Sequence, residues 1–127
     1  MIVVDTSALI AIVKDEPAAL ACIEAIDKTD RVLISAGTLA EVLIVAERKY
    51  MSKTMSNFLA DLTLEVVPVD AATAKLMGDI YGKWGKGIHP ASLNFGDCFA
   101  YALAKERACP LLFIGNDFSQ TDIVAAI

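Results

Sequence analysis

Four short apolar runs rich in β-branched residues, at positions 2–4, 31–34, 64–69 and 110–114, are separated by segments whose apolar residues recur every three or four positions. This alternation limits the possible folds more than any other feature of the chain. Each run has the length of a buried strand, and each intervening segment has the period of a helix packed on one face. Strands separated by helices pair in parallel, because parallel neighbours need a long crossover connection. The predicted class is α/β, a three-layer α/β/α sandwich around a central, mainly parallel sheet of four to five strands. At 127 residues, with no internal repeat, low-complexity tract or linker, the chain reads as one domain over residues 1–127.

Residues 7–14 read as a short helix, and Pro17 suits the first turn of a second helix reaching about residue 27, where its missing N–H would be unpaired anyway. Ser35 or Thr38 can cap a helix to about Tyr50, with Leu39, Val42, Leu43 and Ala46 on its inner stripe. Residues 52–62 form another helical stripe, and Asp70 can cap a helix ending near Trp84. The glycine-rich stretch 82–94 reads as a loop, followed by a helix over 95–107. Helical residues are expected to close the chain from about Gln120.

Composition removes several classes of function. An apolar content of 56% with only 21% charged residues excludes a disordered chain. A net charge of −5 argues against a broad basic surface for nucleic acid. An RNA substrate would therefore need metal ions and local cations, either Arg48, Lys49 and Lys53 or Lys83 and Lys86. Trp84 could stack a base, although packing on a neighbouring helix suits it better, and His89 is a general-base candidate only by its presence in the same loop. Cys22, Cys98 and Cys109 form no CxxC pair and His89 is the only histidine, so a zinc site is poorly supported. Scattered cysteines among apolar neighbours fit reduced thiols in a cytoplasmic protein. Met1-Ile2-Val3-Val4-Asp5 has no basic segment before its apolar residues, so no signal peptide is expected. No apolar run approaches the roughly 18 residues of a membrane span.

The sheet makes a prediction about the site, since ligands of open α/β sheets bind outside the carboxyl ends of the strands. Asp5 directly follows the first strand and Asp117 follows the fourth. Glu41 and Asp97 lie near the starts of helices whose N-termini face that same edge. Each acid alone has an ordinary explanation. Asp5 can cap a helix, Glu41 and Asp97 can complement a helix dipole, and Gly115-Asn116-Asp117 has turn composition. Four acids converging on one edge repel one another unless a cation lies between them. Carboxylates without histidine favour Mg²⁺ or Mn²⁺. Such a site suits metal-assisted phosphoryl displacement.

The segment Ile2-Val3-Val4-Asp5-Thr6-Ser7-Ala8-Leu9 resembles the first motif of the PIN-domain ribonucleases, a strand ending in an aspartate with Ser/Thr beside it. Ser35-Ala36-Gly37-Thr38-Leu39-Ala40-Glu41-Val42 is similar to the second motif. Asn94-Phe95-Gly96-Asp97-Cys98-Phe99-Ala100-Tyr101-Ala102-Leu103-Ala104 resembles the third, and Leu112-Phe113-Ile114-Gly115-Asn116-Asp117-Phe118 with Thr121-Asp122-Ile123 the fourth. The resemblance runs end to end and is strongest to the VapC-type toxins of toxin–antitoxin pairs. It implies a single PIN domain that hydrolyses RNA phosphodiester bonds, with Asp5, Glu41, Asp97 and Asp117 as catalytic metal ligands for Mg²⁺ or Mn²⁺. It also implies a homodimer inhibited by a small cognate antitoxin. Thr6, Ser7, Asn116 and Asp122 are candidates for supporting contacts behind the ligands, with turn and cap chemistry as their alternative roles.

Two readings of the same fold compete with this one. A PIN-like module could bind a partner without cutting, or the nuclease could process RNA outside any toxin–antitoxin pair. An aspartate-nucleophile phosphatase would need a second aspartate where Ser7 stands. A response-regulator receiver would need an acidic pair and a closing lysine that are not evident. Ile44, Val45, Met51, Met55 and Phe58 mark the region expected to receive an antitoxin or a second protomer.

Overall fold

The computed structural model describes residues 1–127. Strands β1 (Ile2–Val4), β2 (Val32–Ser35), β3 (Leu64–Val67) and β4 (Leu111–Leu112) form one sheet in the order β3-β2-β1-β4, every pair parallel. Helices α1 (Thr6–Val13), α2 (Ala19–Asp27), α3 (Ala36–Arg48), α4 (Ser52–Asp61), α5 (Ala71–Trp84) and α6 (Phe95–Arg107) provide the crossovers. The α/β sandwich expected from the alternating pattern is the observed fold.

Alternation along the strands divides the core. Val3, Leu33 and Leu111 pack with α5 and α6 residues such as Met77, Ile80, Ala100 and Leu103. Ile2, Val4, Val32, Ile34 and Leu112 face the other way, onto Leu9, Cys22, Val42, Ala46 and Met55. Strands β1, β2 and β4 are covered on both faces, which explains why they read as apolar runs, whereas β3 at the edge of the sheet leaves Glu65 and Val66 exposed.

The helix starts follow local side-chain chemistry. Ser35 Oγ accepts from the Gly37 N–H at 3.2 Å, and Asp70 Oδ1 from the Thr73 N–H at 2.9 Å. Pro17 lies ahead of α2 rather than in its first turn, because Asp15 takes a left-handed φ of 52° and a turn precedes Ala19. The chain end differs more. No closing helix forms. A short 3₁₀ turn at Phe118–Gln120 leads into an extended tail, in which Val124 accepts from the Leu111 N–H and the Ala126 N–H donates to Leu111, both at 2.9 Å. The tail pairs with the open edge of β4 in parallel, as a single bridge rather than a full fifth strand. Pairing with an exposed sheet edge overrides the tail's helical composition.

The strand order also fixes where a ligand can enter. The chain builds outward from β1 through β2 to β3, then returns to add β4 on the other side of β1. Crevices form at such a reversal, outside the carboxyl ends of β1 and β4.

Candidate active site

Asp5 stands at the carboxyl end of β1, its own N–H donating to the Leu112 carbonyl of β4 at 2.9 Å. Its side chain has two distinct jobs. Oδ2 caps α1, accepting from the Ser7 N–H at 3.1 Å and the Ser7 hydroxyl at 2.6 Å. Oδ1 is buried with no hydrogen-bond partner. Burial pushes the Asp5 carboxyl above its usual range, the Ser7 hydrogen bonds pull it down, and the Glu41 charge adds to the rise. Ser7 Oγ in turn accepts from the Ile114 N–H at 3.0 Å, which ties the segment after β4 to the first turn of α1.

Asp97 repeats the pattern at the start of α6. Its N–H donates to Asn94 Oδ1 at 2.9 Å, and its Oδ2 accepts from the Asn94 N–H at 3.0 Å, a reciprocal capping box. The cap occupies one oxygen of each aspartate and leaves the other. Burial pushes the Asp97 carboxyl up to about 7, opposed by the Asn94 N–H and reinforced by the charges of Asp5, Asp117 and Glu41. All four acids expected at this edge therefore lie close enough for Asp97 to sense the other three.

Glu41 is the sixth residue of α3, in its second turn rather than its first, so the helix dipole does not account for it. Two contacts place it. Thr6 Oγ1 donates to Glu41 Oε1 at 2.5 Å, and a Cβ at residue 96 would fall 1.9 Å from Glu41 Oε2. Gly96 thus leaves the space the glutamate occupies. Gly37 acts likewise on the facing helix, where a Cβ would meet the Phe99 ring at 2.2 Å. These two glycines let α3 and α6 approach and bring Glu41 beside Asp97. Sequence reasoning singled out neither of them for this role. Their one visible mark was a glycine near the start of each of two helices, where glycine is costly without a packing reason.

Asp117 is exposed at the start of the 3₁₀ turn, with no side-chain cap hydrogen bond, just after Gly115 turns the chain at a φ of +110°. Asn116 contributes its carbonyl, which accepts from Ser119 Oγ at 2.7 Å. Thr6 and Ser7 each bond one of the acids directly. Asp122 does not join them. It accepts from Tyr101 Oη and, at 3.0 Å, from Lys105 Nζ, on the flank of α6 away from the acids. The expected supporting role for Asp122 is corrected accordingly: after the 3₁₀ turn the tail runs back toward the opposite edge of the sheet, carrying Asp122 with it.

The other aromatic and basic candidates are also placed. Trp84 packs on α6, donating Nε1–H to Tyr101 Oη at 2.9 Å, with Lys83 Nζ 4.9 Å from its ring centroid. His89 packs edge-on to Trp84, and its Nδ1 accepts from the Ala91 N–H at 3.0 Å, so it holds the loop together.

The donors suit a hard divalent cation. They are all carboxylate oxygens, one of them buried and unpartnered, and none of the three ion pairs in the chain involves these acids. No three acidic, histidine or cysteine side chains are already drawn to ligation distance.

Known proteins share this fold and much of this sequence. Residues 2–124 match the family described as PIN domain. The chain is 40% identical over 129 residues to Ribonuclease VapC28 of Mycobacterium tuberculosis, covering 98% of this chain and 97% of that one. It is 39% identical over 124 residues to Ribonuclease VapC30 of the same organism, covering 95% of each. Among solved structures, Mycobacterium tuberculosis VapC20, described as a sarcin-ricin loop cleaving toxin, superposes with a TM-score of 0.81 at 17% identity, over 98% of this chain and 97% of that one. A toxin–antitoxin complex from Klebsiella pneumoniae gives a TM-score of 0.76 at 19% identity, over 100% of this chain and 98% of that one. At those identities the solved structures speak for the fold.

Proposed function

Because the chain belongs to the PIN-domain family, with relatives among its VapC ribonucleases, we propose that it is a metal-dependent endoribonuclease and the toxin of a toxin–antitoxin pair. The observation that carries the proposal is the buried, unpartnered Asp5 Oδ1 within a set of carboxylates whose charges reinforce one another. Leaving a buried acceptor unpaired costs about 1–3 kcal/mol, more when it is charged, so an arrangement that does so needs a ligand to offset it.

Asp5, Glu41 and Asp97, joined by Asp117, would hold Mg²⁺ or Mn²⁺. A cation there supplies activation of a water and stabilisation of the leaving oxygen in phosphodiester hydrolysis. The rest belongs to the chain. Ser7 fixes the rotamer of Asp5 by bonding Oδ2, which leaves Oδ1 free. Thr6 and Gly96 hold Glu41 from two sides. The capping box holds Asp97, whose carboxyl burial pushes up to about 7, so a cation held there would favour its ionised form.

The toxin role rests on the VapC relatives, which match over nearly the whole chain. With it go a cognate antitoxin, a homodimer and a cytoplasmic location, all part of the same proposal. No helix is long and apolar enough to cross a membrane. The test is purified protein, freed of any antitoxin, incubated with total RNA plus Mg²⁺ or Mn²⁺ and mapped for cut sites. Discrete cuts that vanish with chelator are expected. Intact RNA, or cutting that chelator leaves unchanged, overturns the proposal.

A further inference from the structure

Phe95, the first residue of α6, is 74% exposed although it is a large aromatic two positions from Asp97. Its ring stands edge-to-face on Phe99, with centroids 5.0 Å apart at 81°. An ordered ring presented to solvent beside a cluster of acids has no role in the core.

A groove of about 360 Å³ runs from this ring between α3 and α6. Gly37, Glu41, Ile44 and Arg48 recur along α3 at helical spacing and form one wall, while Phe95 and Phe99 form the other. Glu41 lies at the end beside Asp97. Two turns further along the helix, about 10.5 Å by its rise, stands Arg48. Arg48 takes part in none of the three ion pairs in the chain. With Val45 it also lines an adjoining hollow that Lys49 shares. The groove is therefore acidic at one end, apolar along its length, and terminated by unpaired cations.

We infer that this groove holds the single-stranded RNA substrate, with Phe95 stacking the base next to the scissile phosphate and Arg48 binding a phosphate further along the strand. The inference rests on the ribonuclease reading and extends it to how substrate is held. Charge order favours RNA as the occupant. A polyanion gains from the Arg48 and Lys49 end, and a strand laid along the groove carries its backbone past Glu41. Aromatic stacking holds single strands with little dependence on sequence, and cations track the backbone.

The test starts from a cut site mapped in total RNA and uses a short RNA oligonucleotide spanning it. Phe95→Ala is expected to raise KM about ten-fold or more, as loss of one base–aromatic stack does, and Phe95→Trp to restore it. Arg48→Gln is expected to lower the dependence of log KM on log salt by about 0.7, one phosphate contact to a single strand. Mn²⁺ uptake by calorimetry should be unchanged in all three variants, showing that the acids remain assembled. Cutting by the parent with an unaltered KM in Phe95→Ala overturns the groove assignment and leaves the ribonuclease reading intact. An unaltered KM accompanied by loss of self-association or antitoxin binding overturns it in favour of a protein interface. A parent that leaves total RNA intact with Mg²⁺ and Mn²⁺ overturns both.

Discussion

Thr6 donates its hydroxyl to Glu41 Oε1 at 2.5 Å, joining the first turn of α1 to the second turn of α3 across 35 positions of sequence. The bond aims a carboxylate that would otherwise be free to turn toward solvent. Thr6→Val keeps the shape and removes the donor. It is expected to lower nuclease activity and Mn²⁺ affinity about ten-fold or more, the usual cost of losing an outer partner of a metal ligand. Thr6→Ser should retain most of both. Parallel kinetics and calorimetry check this, and a Thr6→Val protein equal to the parent would show that the bond does not position Glu41.

Gly96→Ala places a Cβ where Glu41 Oε2 now stands, at 1.9 Å. Helix propensity alone would favour alanine by roughly 0.5–1 kcal/mol. The clash must instead move the glutamate or separate α3 from α6. An activity loss of about a hundred-fold is expected, the scale of a 1 Å misplacement at a reacting centre. Circular dichroism should still report a folded α/β protein.

Asp97 gives a pH signature in the metal-free protein. Its carboxyl titrates near 3.8 when unfolded and at about 7 when folded, mainly because of burial. Between those values the native state holds a proton that the unfolded state has released. The stability it contributes is therefore complete below the lower value and is lost as pH rises through the upper one. Thermal melts in chelator from pH 4 to about 7 should show a decline that Asp97→Asn reduces and Mg²⁺ offsets. Parallel curves for parent and variant would contradict the placement of Asp97.

Tyr101 and Asp122 test the boundary of the site. Tyr101 Oη donates to Asp122 and accepts from Trp84 Nε1–H, fastening the C-terminal tail and α5 to α6. Tyr101→Phe leaves Trp84 Nε1–H unpaired and Asp122 with Lys105 alone, and should cost about 1–3 kcal/mol in denaturant unfolding. Nuclease activity should persist in Asp122→Asn, because that carboxylate sits with Lys105 rather than with the four acids. A drop in activity to the level of Asp97→Asn would return Asp122 to the site.

The layout of the fold and the positions of the four acids within it were legible because both depend on local pattern. Apolar runs of strand length, caps at Ser35 and Asp70, and an acid directly after β1 are encoded within a few residues of each other. The C-terminal tail was not, because pairing of Val124 and Ala126 with Leu111 depends on an edge supplied by a distant strand. Asp122 follows Asp117 closely in sequence, yet the 3₁₀ turn between them sends the two carboxylates to different parts of α6. Gly37 and Gly96 stayed hidden for a related reason. Their value lies in the crossing of α3 and α6, which no periodicity within either helix displays.

In the proposed site Asp5, with its one unpartnered oxygen, would anchor a divalent cation among Glu41, Asp97 and Asp117. Calorimetric titration of antitoxin-free protein with Mn²⁺, parent against Asp5→Asn, addresses it most directly. The variant keeps the size of the side chain and removes its charge. Saturable Mn²⁺ uptake by the parent and its loss in Asp5→Asn, with unchanged circular dichroism, are expected. Equal uptake by both proteins, or none by the parent, would contradict it.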